Sequence, residues 1–282
     1  MSPEKTAPDF HEDASEAAAK HIFPTTFAQQ RLWFLEHLLP GNTSYLIPWF
    51  LRISGRLNVA ALQKSLDEIV ARHEVLRTTL SWKEGTPVQV VTGRLSVPLP
   101  VTDLSRLSQP EEEARRLMRE ESRKPLDLER GPLVRSQLLC LGEEEHVLFL
   151  TMHHIIFDGW SRRIFAAELA ALYGAFCHQQ PSPLPPPRLQ YADYAIWQRK
   201  YLQGATLEKQ LSYWRQQLAD APARIDLPFD RPRPPIQTSN GAKRPVEFSP
   251  QLTQDLRDFS RRQGVTLFMA AIKLLALTRL GS

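Results

Sequence analysis

Residues 152–161 read Met152-His153-His154-Ile155-Ile156-Phe157-Asp158-Gly159-Trp160-Ser161, and they close the apolar run His146-Val147-Leu148-Phe149-Leu150-Thr151-Met152. A run of that length and texture reads as a buried strand, and a strand sends adjacent side chains to opposite faces. The two histidines are therefore expected to part company. His153 points into packing, while His154 projects into a cavity with its imidazole held at the strand end. The Asp158-Gly159 turn brings a carboxylate back towards the same place, so the pattern is that of a positioned base with a structural charge nearby. His-His-x3-Asp does not match a zinc spacing and the chain supplies no Cys or His cluster, so no metal is expected.

Read outward from that run, the chain alternates helix and strand, and the fold class is α/β. Residues 28–38 read as a helix and 45–54 as a strand. Over 59–73 the apolar residues Leu62, Leu66, Ile69 and Val70 fall on one helical face, and 76–80 forms the next strand. Glu84-Gly85 then turns the chain into a hairpin with 87–91. Residues 111–123 form a charged surface helix, 133–141 and 146–152 paired strands, and 161–177 a helix capped by Ser161 or Asp158.

At Gln179 the texture changes. Pro181, Pro183, Pro185, Pro186 and Pro187 make a stiff extended connector over 179–189, between a first lobe (21–178) and a second part (190–282). Helices are expected over 190–203, 206–219, 250–263 and 266–280, with a Pro- and Arg-rich loop over 228–235 and a strand over 243–248. Residues 1–20, rich in Ala, Glu and Asp, read as a mobile tail. Helix 266–280 is apolar on nearly every side, the pattern of a helix buried in a larger body.

A chain of 282 residues that is 42% hydrophobic has ample core for one large domain or two lobes. Cys140 and Cys177 stand in apolar or helical contexts and read as core thiols, which suits a reducing cytoplasm. No stretch of 18 apolar residues and no charged-then-apolar leader is present, so a cytoplasmic protein without membrane contact is expected. Net charge is +4, but the first twenty residues hold two lysines against five acids, which leaves about +7 for the remainder. A pI of about 9.1 raises the question of nucleic acid. The basic residues are scattered over helix faces and the proline-rich linker without interleaved aromatics or a reading motif, so a protein with an acidic surface is the expected partner instead.

Three further segments stand in order around the His-His motif: Thr25-Thr26-Phe27-Ala28-Gln29-Gln30-Arg31-Leu32-Trp33, Arg72-His73-Glu74-Val75-Leu76-Arg77-Thr78, and Tyr191-Ala192-Asp193-Tyr194-Ala195-Ile196-Trp197-Gln198-Arg199. Together the four resemble the first core motifs of the condensation domains of nonribosomal peptide synthetases, within the chloramphenicol acetyltransferase-like superfamily. The connectors are similar too, at Lys124-Pro125-Leu126-Asp127-Leu128, Gly131-Pro132-Leu133, residues 227–234 and Val265-Thr266-Leu267-Phe268-Met269. The resemblance runs from Ile22 to the last residue. His-His-x3-Asp-Gly by itself occurs in many acyltransferases of the superfamily, whereas four motifs in order are specific.

The resemblance implies a two-lobe sandwich, with the first lobe complete and the second partial because the chain is C-terminally truncated. It implies amide-bond formation, in which the α-amine of a carrier-bound aminoacyl group attacks a carrier-bound acyl or peptidyl thioester. His154 is then the catalytic residue, as base or as the group that orients the amine, with His153 beside it. Asp158 is chiefly structural and pairs with an arginine, for which Arg77 is the candidate, so that the pair holds the His154 loop. Gly159 leaves room for substrate and offers an amide to an oxyanion. Arg77, Trp160 and Arg31 support the site. Gln29, Arg31 and Trp33 lie on a helix near the donor side and divide between packing and tunnel lining. Arg72, His73 and Glu74 cap a helix and brace a strand, and the stripe of Tyr191, Tyr194 and Trp197 reads as core.

No cofactor is expected to bind directly. Phosphopantetheine arrives on donor and acceptor peptidyl carrier proteins, which are the implied partners together with the remainder of the synthetase. The aspartate pair of cyclisation domains is missing, the Gly-Trp-Ser continuation differs from epimerisation domains, and the first motif resembles the type that joins an L-donor to an L-acceptor. With Met1 some twenty residues upstream, the domain is expected to open its polypeptide, its donor coming from another protein or being an acyl group as in starter domains. Two rival readings stay open. A standalone acyltransferase using acyl-coenzyme A shares His154 and Asp158, and an inactive truncated lobe would only dock carriers.

Overall fold

Two sheets organise the first part of the chain, which is known from a computed structural model that describes residues 20–223, 232 and 245–280. Strands β1 (Lys20–Pro24), β3 (Thr78–Lys83) and β4 (Thr86–Thr92) form an antiparallel sheet in the order β1-β4-β3. Strands β2 (Leu46–Ser54), β5 (Val101–Asp103), β6 (Val134–Cys140) and β7 (Glu145–His153) form the second sheet in the order β2-β7-β6-β5, with β5 parallel to β6 and the other pairs antiparallel. Strand β7 lies inside this sheet, its register with β2 running from Leu46 opposite His153 to Ser54 opposite Glu145.

Both faces of β7 are covered, which is why its sequence reads as one apolar run rather than an alternation. On one face Leu148, Leu150 and Met152 meet Leu62, Leu66 and Ile69 of α2 (Val59–Arg72) and Phe165, Leu169 and Leu172 of α4 (Gly159–Cys177) in the main core. On the other, Val147 joins Leu139, Leu104 and Leu141 under Ala114 of α3 (Pro110–Glu121). Full burial of each Leu or Met stabilises by about 1.5–3 kcal/mol, so this strand is held far more firmly than its hydrogen bonds alone would hold it. Helix α1 (Phe27–Leu38) opens with a capping box in which the Thr26 side chain accepts from the Gln29 amide and Gln29 returns to the Thr26 amide.

The chain divides into two compact units, Met1–Arg233 and Pro234–Ser282. Residues 178–190 carry no helix or strand, but the chain beyond them stays in the first unit, so the division between units does not fall at the connector expected over 179–189. The reason is a set of straps. Arg72 donates to the carbonyls of Leu184 (3.3 Å) and Pro185 (2.8 Å), and the Gln190 side chain accepts from the Glu74 amide (3.1 Å) and donates to the Arg72 carbonyl (2.9 Å). Helix α5 (Tyr191–Tyr201) then packs against β1 with Ala192 and Ala195 buried, followed by α6 (Gly204–Gln217).

The second unit contains α7 (Pro250–Gln263), capped by Ser249 and closed by Gly264 at φ 61°, and α8 (Leu267–Leu280). Within this unit Ala270 is buried while Leu267, Phe268, Met269 and Ile272 of α8 are exposed. Strands β1 and β5 were not legible in the sequence, and Lys20, assigned there to the tail, begins β1. The strand expected over 243–248 is not formed at 245–248. Residues 1–19 and nearly all of the loop at 228–235 lie outside the described residues.

Candidate active site

The two histidines lie on either side of the end of β7, His153 as its last residue and His154 as the first of the turn that follows. His153 is 1% exposed, whereas His154 is exposed. The His153 ring accepts at Nδ1 from the Ile155 amide at 3.1 Å. A backbone N–H can only donate, so Nδ1 is the unprotonated nitrogen and the neutral ring carries its proton on Nε2, which has no partner among the described residues. Burial, then the charge of His154, pushes the His153 pKa down to about 4, and the ring is neutral at physiological pH.

His154 is held by its backbone. Its amide donates to the Tyr45 carbonyl at 2.8 Å, and the Ile156 amide turns back to the His153 carbonyl at 3.1 Å. Ile155, Ile156 and Phe157 then dive into the core, Phe157 packing edge-on to Phe165 with ring centres 6.1 Å apart. Because the chain is buried on both sides of it, His154 has one way to point, which is outward. Within the first unit the ring is open to solvent, so the enclosing cavity expected from the sequence is not formed by this unit's own side chains.

Asp158 is the N-cap of α4. Its Oδ1 accepts from the Ser161 amide (2.9 Å) and the Ser161 hydroxyl (2.7 Å). Burial pushes this carboxyl up, but the Ser161 and Trp160 hydrogen bonds and the charge of His154 outweigh it and hold the pKa below the ordinary value. The expected Asp158–Arg77 ion pair is not present. Arg77 sits 3.6 Å from Glu74 and donates to the Thr92 carbonyl, so its charge braces the start of β3 against β4. A carboxylate that already accepts two bonds from its own helix end has little need of a distant guanidinium.

Gly159 opens α4, and apart from its chain neighbours and its own helix backbone nothing lies within 4 Å of where a Cβ would stand. Trp160 is 79% exposed and Arg31 is also exposed, so neither braces the site within this unit. Trp33 and Gln29 are buried. Of the Tyr191, Tyr194 and Trp197 stripe, expected as core, only Tyr191 is half-buried. Tyr194 and Trp197 are exposed, the Tyr194 ring tilted against Trp197 at 5.6 Å and Trp197 stacked on Tyr201 at 5.0 Å, because α5 faces the body with its alanines.

The four motifs nevertheless meet. The Tyr191 hydroxyl lies 3.3 Å from Thr26 Oγ1, and burial, with the charges of Tyr194 and Asp158 adding to it, raises the Tyr191 pKa. Arg199 donates to the Thr25 carbonyl (2.8 Å) and Gln30 Oε1 (2.8 Å) and lies over the Phe27 ring at 4.2 Å. His73 reaches Glu168 of α4 at 2.7 Å and Arg72 reaches the same carboxylate at 3.6 Å, which ties the second motif to the helix that Asp158 caps. Gln89 of β4, which sequence reasoning passed over, faces inward and bonds Gln29. A lone Gln at an inward position of Pro87-Val88-Gln89-Val90-Val91 was the available signal, since a buried amide is there for its partners.

Among the described residues no three His, Cys, Asp or Glu groups converge as a metal site, and no helix is long and apolar enough to cross a membrane. What the arrangement offers is one presented imidazole beside a carboxylate fixed as a helix cap, on a rigid strand end. That suits proton transfer or orientation of a substrate amine.

Comparison with known proteins agrees with this geometry. The family model described as Condensation domain matches residues 19–280. A linear gramicidin synthase of Brevibacillus parabrevis is 46% identical over 251 residues, a match that covers 88% of this chain and 5% of that synthase. The first condensation domain of the CDA synthetase superposes with a TM-score of 0.76 at 25% identity, covering 93% of this chain and 63% of that one. The X-domain from teicoplanin biosynthesis, in its complex with OxyB, is 36% identical with a TM-score of 0.67, covering 76% of this chain and 47% of that one. The chain thus spans a small fraction of the synthase it matches and about half to two thirds of the solved domains. The chain belongs to the condensation domain family of nonribosomal peptide synthetases.

Proposed function

We propose that this chain forms amide bonds by transferring an acyl or peptidyl group from a phosphopantetheine thioester on a donor carrier protein to the α-amine of an aminoacyl group on an acceptor carrier protein. The observation that carries this reading is the divergence of His153 and His154, one neutral and buried, the other presented to solvent from a clamped backbone. The amine nitrogen attacks the thioester carbonyl, the C–N bond forms, the C–S bond breaks, and the proton lost by nitrogen ends on the departing thiolate.

A magnitude limits what His154 has to do. An α-amine with a pKa of about 7.7–8.0 is already roughly a tenth deprotonated at pH 7, so making it neutral costs only about 1 kcal/mol. The demanding tasks are to hold the amine against the carbonyl and to take its proton as positive charge develops on nitrogen, and positioning offers far larger gains. Asp158 acts on this chemistry through the helix it caps and through its charge beside His154.

The test mixes the protein, alone and within its synthetase module, with acyl-loaded and aminoacyl-loaded carriers and weighs the products. Amide product on the acceptor carrier supports the reading. Turnover with acyl-coenzyme A and a free amine, without any carrier, would replace it by the standalone acyltransferase. Carrier binding with no product in either format would leave a docking module.

A further inference from the structure

Two buried side-chain amides stand behind the His154 loop, and nothing in the chemistry above has used them. Gln29 and Gln89 are each 1% exposed. Gln29 Oε1 accepts from the Thr26 amide at 3.0 Å, while its Nε2 donates both to Gln89 Oε1 at 2.9 Å and to the Ile155 carbonyl at 3.4 Å. Gln89 Nε2 in turn donates to the Pro24 carbonyl at 2.9 Å. The chain of bonds runs from the β1–α1 junction, through α1 and β4, to the residue that directly follows His154.

The destination of that chain decides its meaning. The peptide before His154 is fixed by Tyr45 and by the Ile156 amide, and the Ile155 amide is fixed by the His153 ring. The Ile155 carbonyl would be left for solvent or strain, and Gln29 is the group that takes it. With it, the three consecutive peptides from His153 to Ile156 each have a hydrogen-bonded group, which leaves the turn that carries the imidazole little backbone freedom. An apolar side chain at position 29 would fill the same volume but could not hold that carbonyl. Paired buried amides contribute little net stability over well-packed apolar residues, so their value lies in fixing one arrangement.

We infer that Gln29 and Gln89 are positioning residues for His154: Gln29 holds the Ile155–Ile156 peptide, the second peptide after the imidazole, and Gln89 holds Gln29. This rests on the reading of His154 as the catalytic group. Because Gln89 acts only through Gln29, the two must not be additive.

The test compares Gln29→Met, Gln89→Met and the double variant with the parent in the intact protein, measuring kcat and acceptor-carrier KM for amide formation together with the thermal midpoint and the His154 ring resonance. The expected result is a 10–100-fold fall in kcat for Gln29→Met at an acceptor KM within about twofold, the scale of loss that a displacement of about 1 Å produces. Gln89→Met is expected to lose less, the double variant no more than Gln29→Met alone, and the His154 resonance to broaden or split in all three while the proteins remain folded at the assay temperature. Unchanged kcat in folded Gln29→Met, additive losses in the double variant, or a kcat loss that merely tracks the folded fraction overturns the inference. If Gln29→Met does not fold, Gln89→Met decides through the same kcat-against-KM split and ring signature. The His154→Ala variant separates the two levels. Parent-like turnover there removes the catalytic reading itself, whereas lost turnover there with parent-like Gln29→Met removes only the positioning claim.

Discussion

Lowering the pH should destabilise this protein through His153 in a way that a single substitution can isolate. The ring is buried and its pKa falls from 6.5 to about 4 in the folded chain. Between those values the unfolded chain binds a proton that the folded chain refuses, so stability is full above about pH 7 and drains away as pH falls towards 4. At about 1.4 kcal/mol per pKa unit the total loss is about 3 kcal/mol, of which about 2 kcal/mol has gone by pH 5. His153→Asn keeps an acceptor oxygen near the position of Nδ1 for the Ile155 amide and removes the titration, at a fixed cost independent of pH. Urea unfolding of both proteins at pH 7.5, 6 and 5 gives the comparison, in which every other titrating group cancels. The parent should lose about 2 kcal/mol relative to the variant between pH 7.5 and 5. Stability curves that run parallel over that range would refute the argument, and with it the assignment of His153 as a neutral, buried brace.

Further consequences follow from the same geometry. Asp158→Ala should cost about 1 kcal/mol through loss of the α4 cap, and Asp158→Ser should recover most of it, as read from thermal unfolding. Asp158 and Arg77, which do not pair, should show a coupling below about 0.5 kcal/mol in a double-mutant stability cycle, where a buried ion pair would give several times that. Gly131 has φ 62° and a Cβ there would stand 2.7 Å from Thr79 Cγ2. Gly131→Ala should therefore destabilise by at least about 1–2 kcal/mol, seen as a drop of several degrees in the thermal midpoint.

Most of the fold was legible because its elements are long and periodic. Leu62, Leu66, Ile69 and Val70 repeat at helical spacing and all face the core, and the unbroken apolar run ending at Met152 is a strand covered on both faces. Strands β1 and β5 escaped because they are short and lie at sheet edges, where half-exposed side chains carry little pattern. The opposite fates of His153 and His154 matched the strand reading, although His154 stands one residue past the strand, in a turn closed by the Ile156 amide on the His153 carbonyl. The aromatic stripe could not. Spacing says that Tyr194 and Trp197 share a region of a helix but not which side faces the body, and here the small Ala192 and Ala195 allow close approach to β1 and leave the rings outside. The Asp158–Arg77 pair failed for a related reason. The cap supplied by Ser161 satisfies the carboxylate locally, and local satisfaction outcompetes a partner 81 positions away in sequence.

The central claim, that the exposed imidazole of His154 does the work, is tested most directly by amide formation between loaded carriers in the His154→Ala protein. The side chain is exposed, so the thermal midpoint should stay at the parent value within the usual surface effect of about 0.5 kcal/mol. Product formation should fall by about 10²–10⁴-fold, the contribution of a positioned acid or base. A folded His154→Ala protein that forms product at the parent rate would contradict the account.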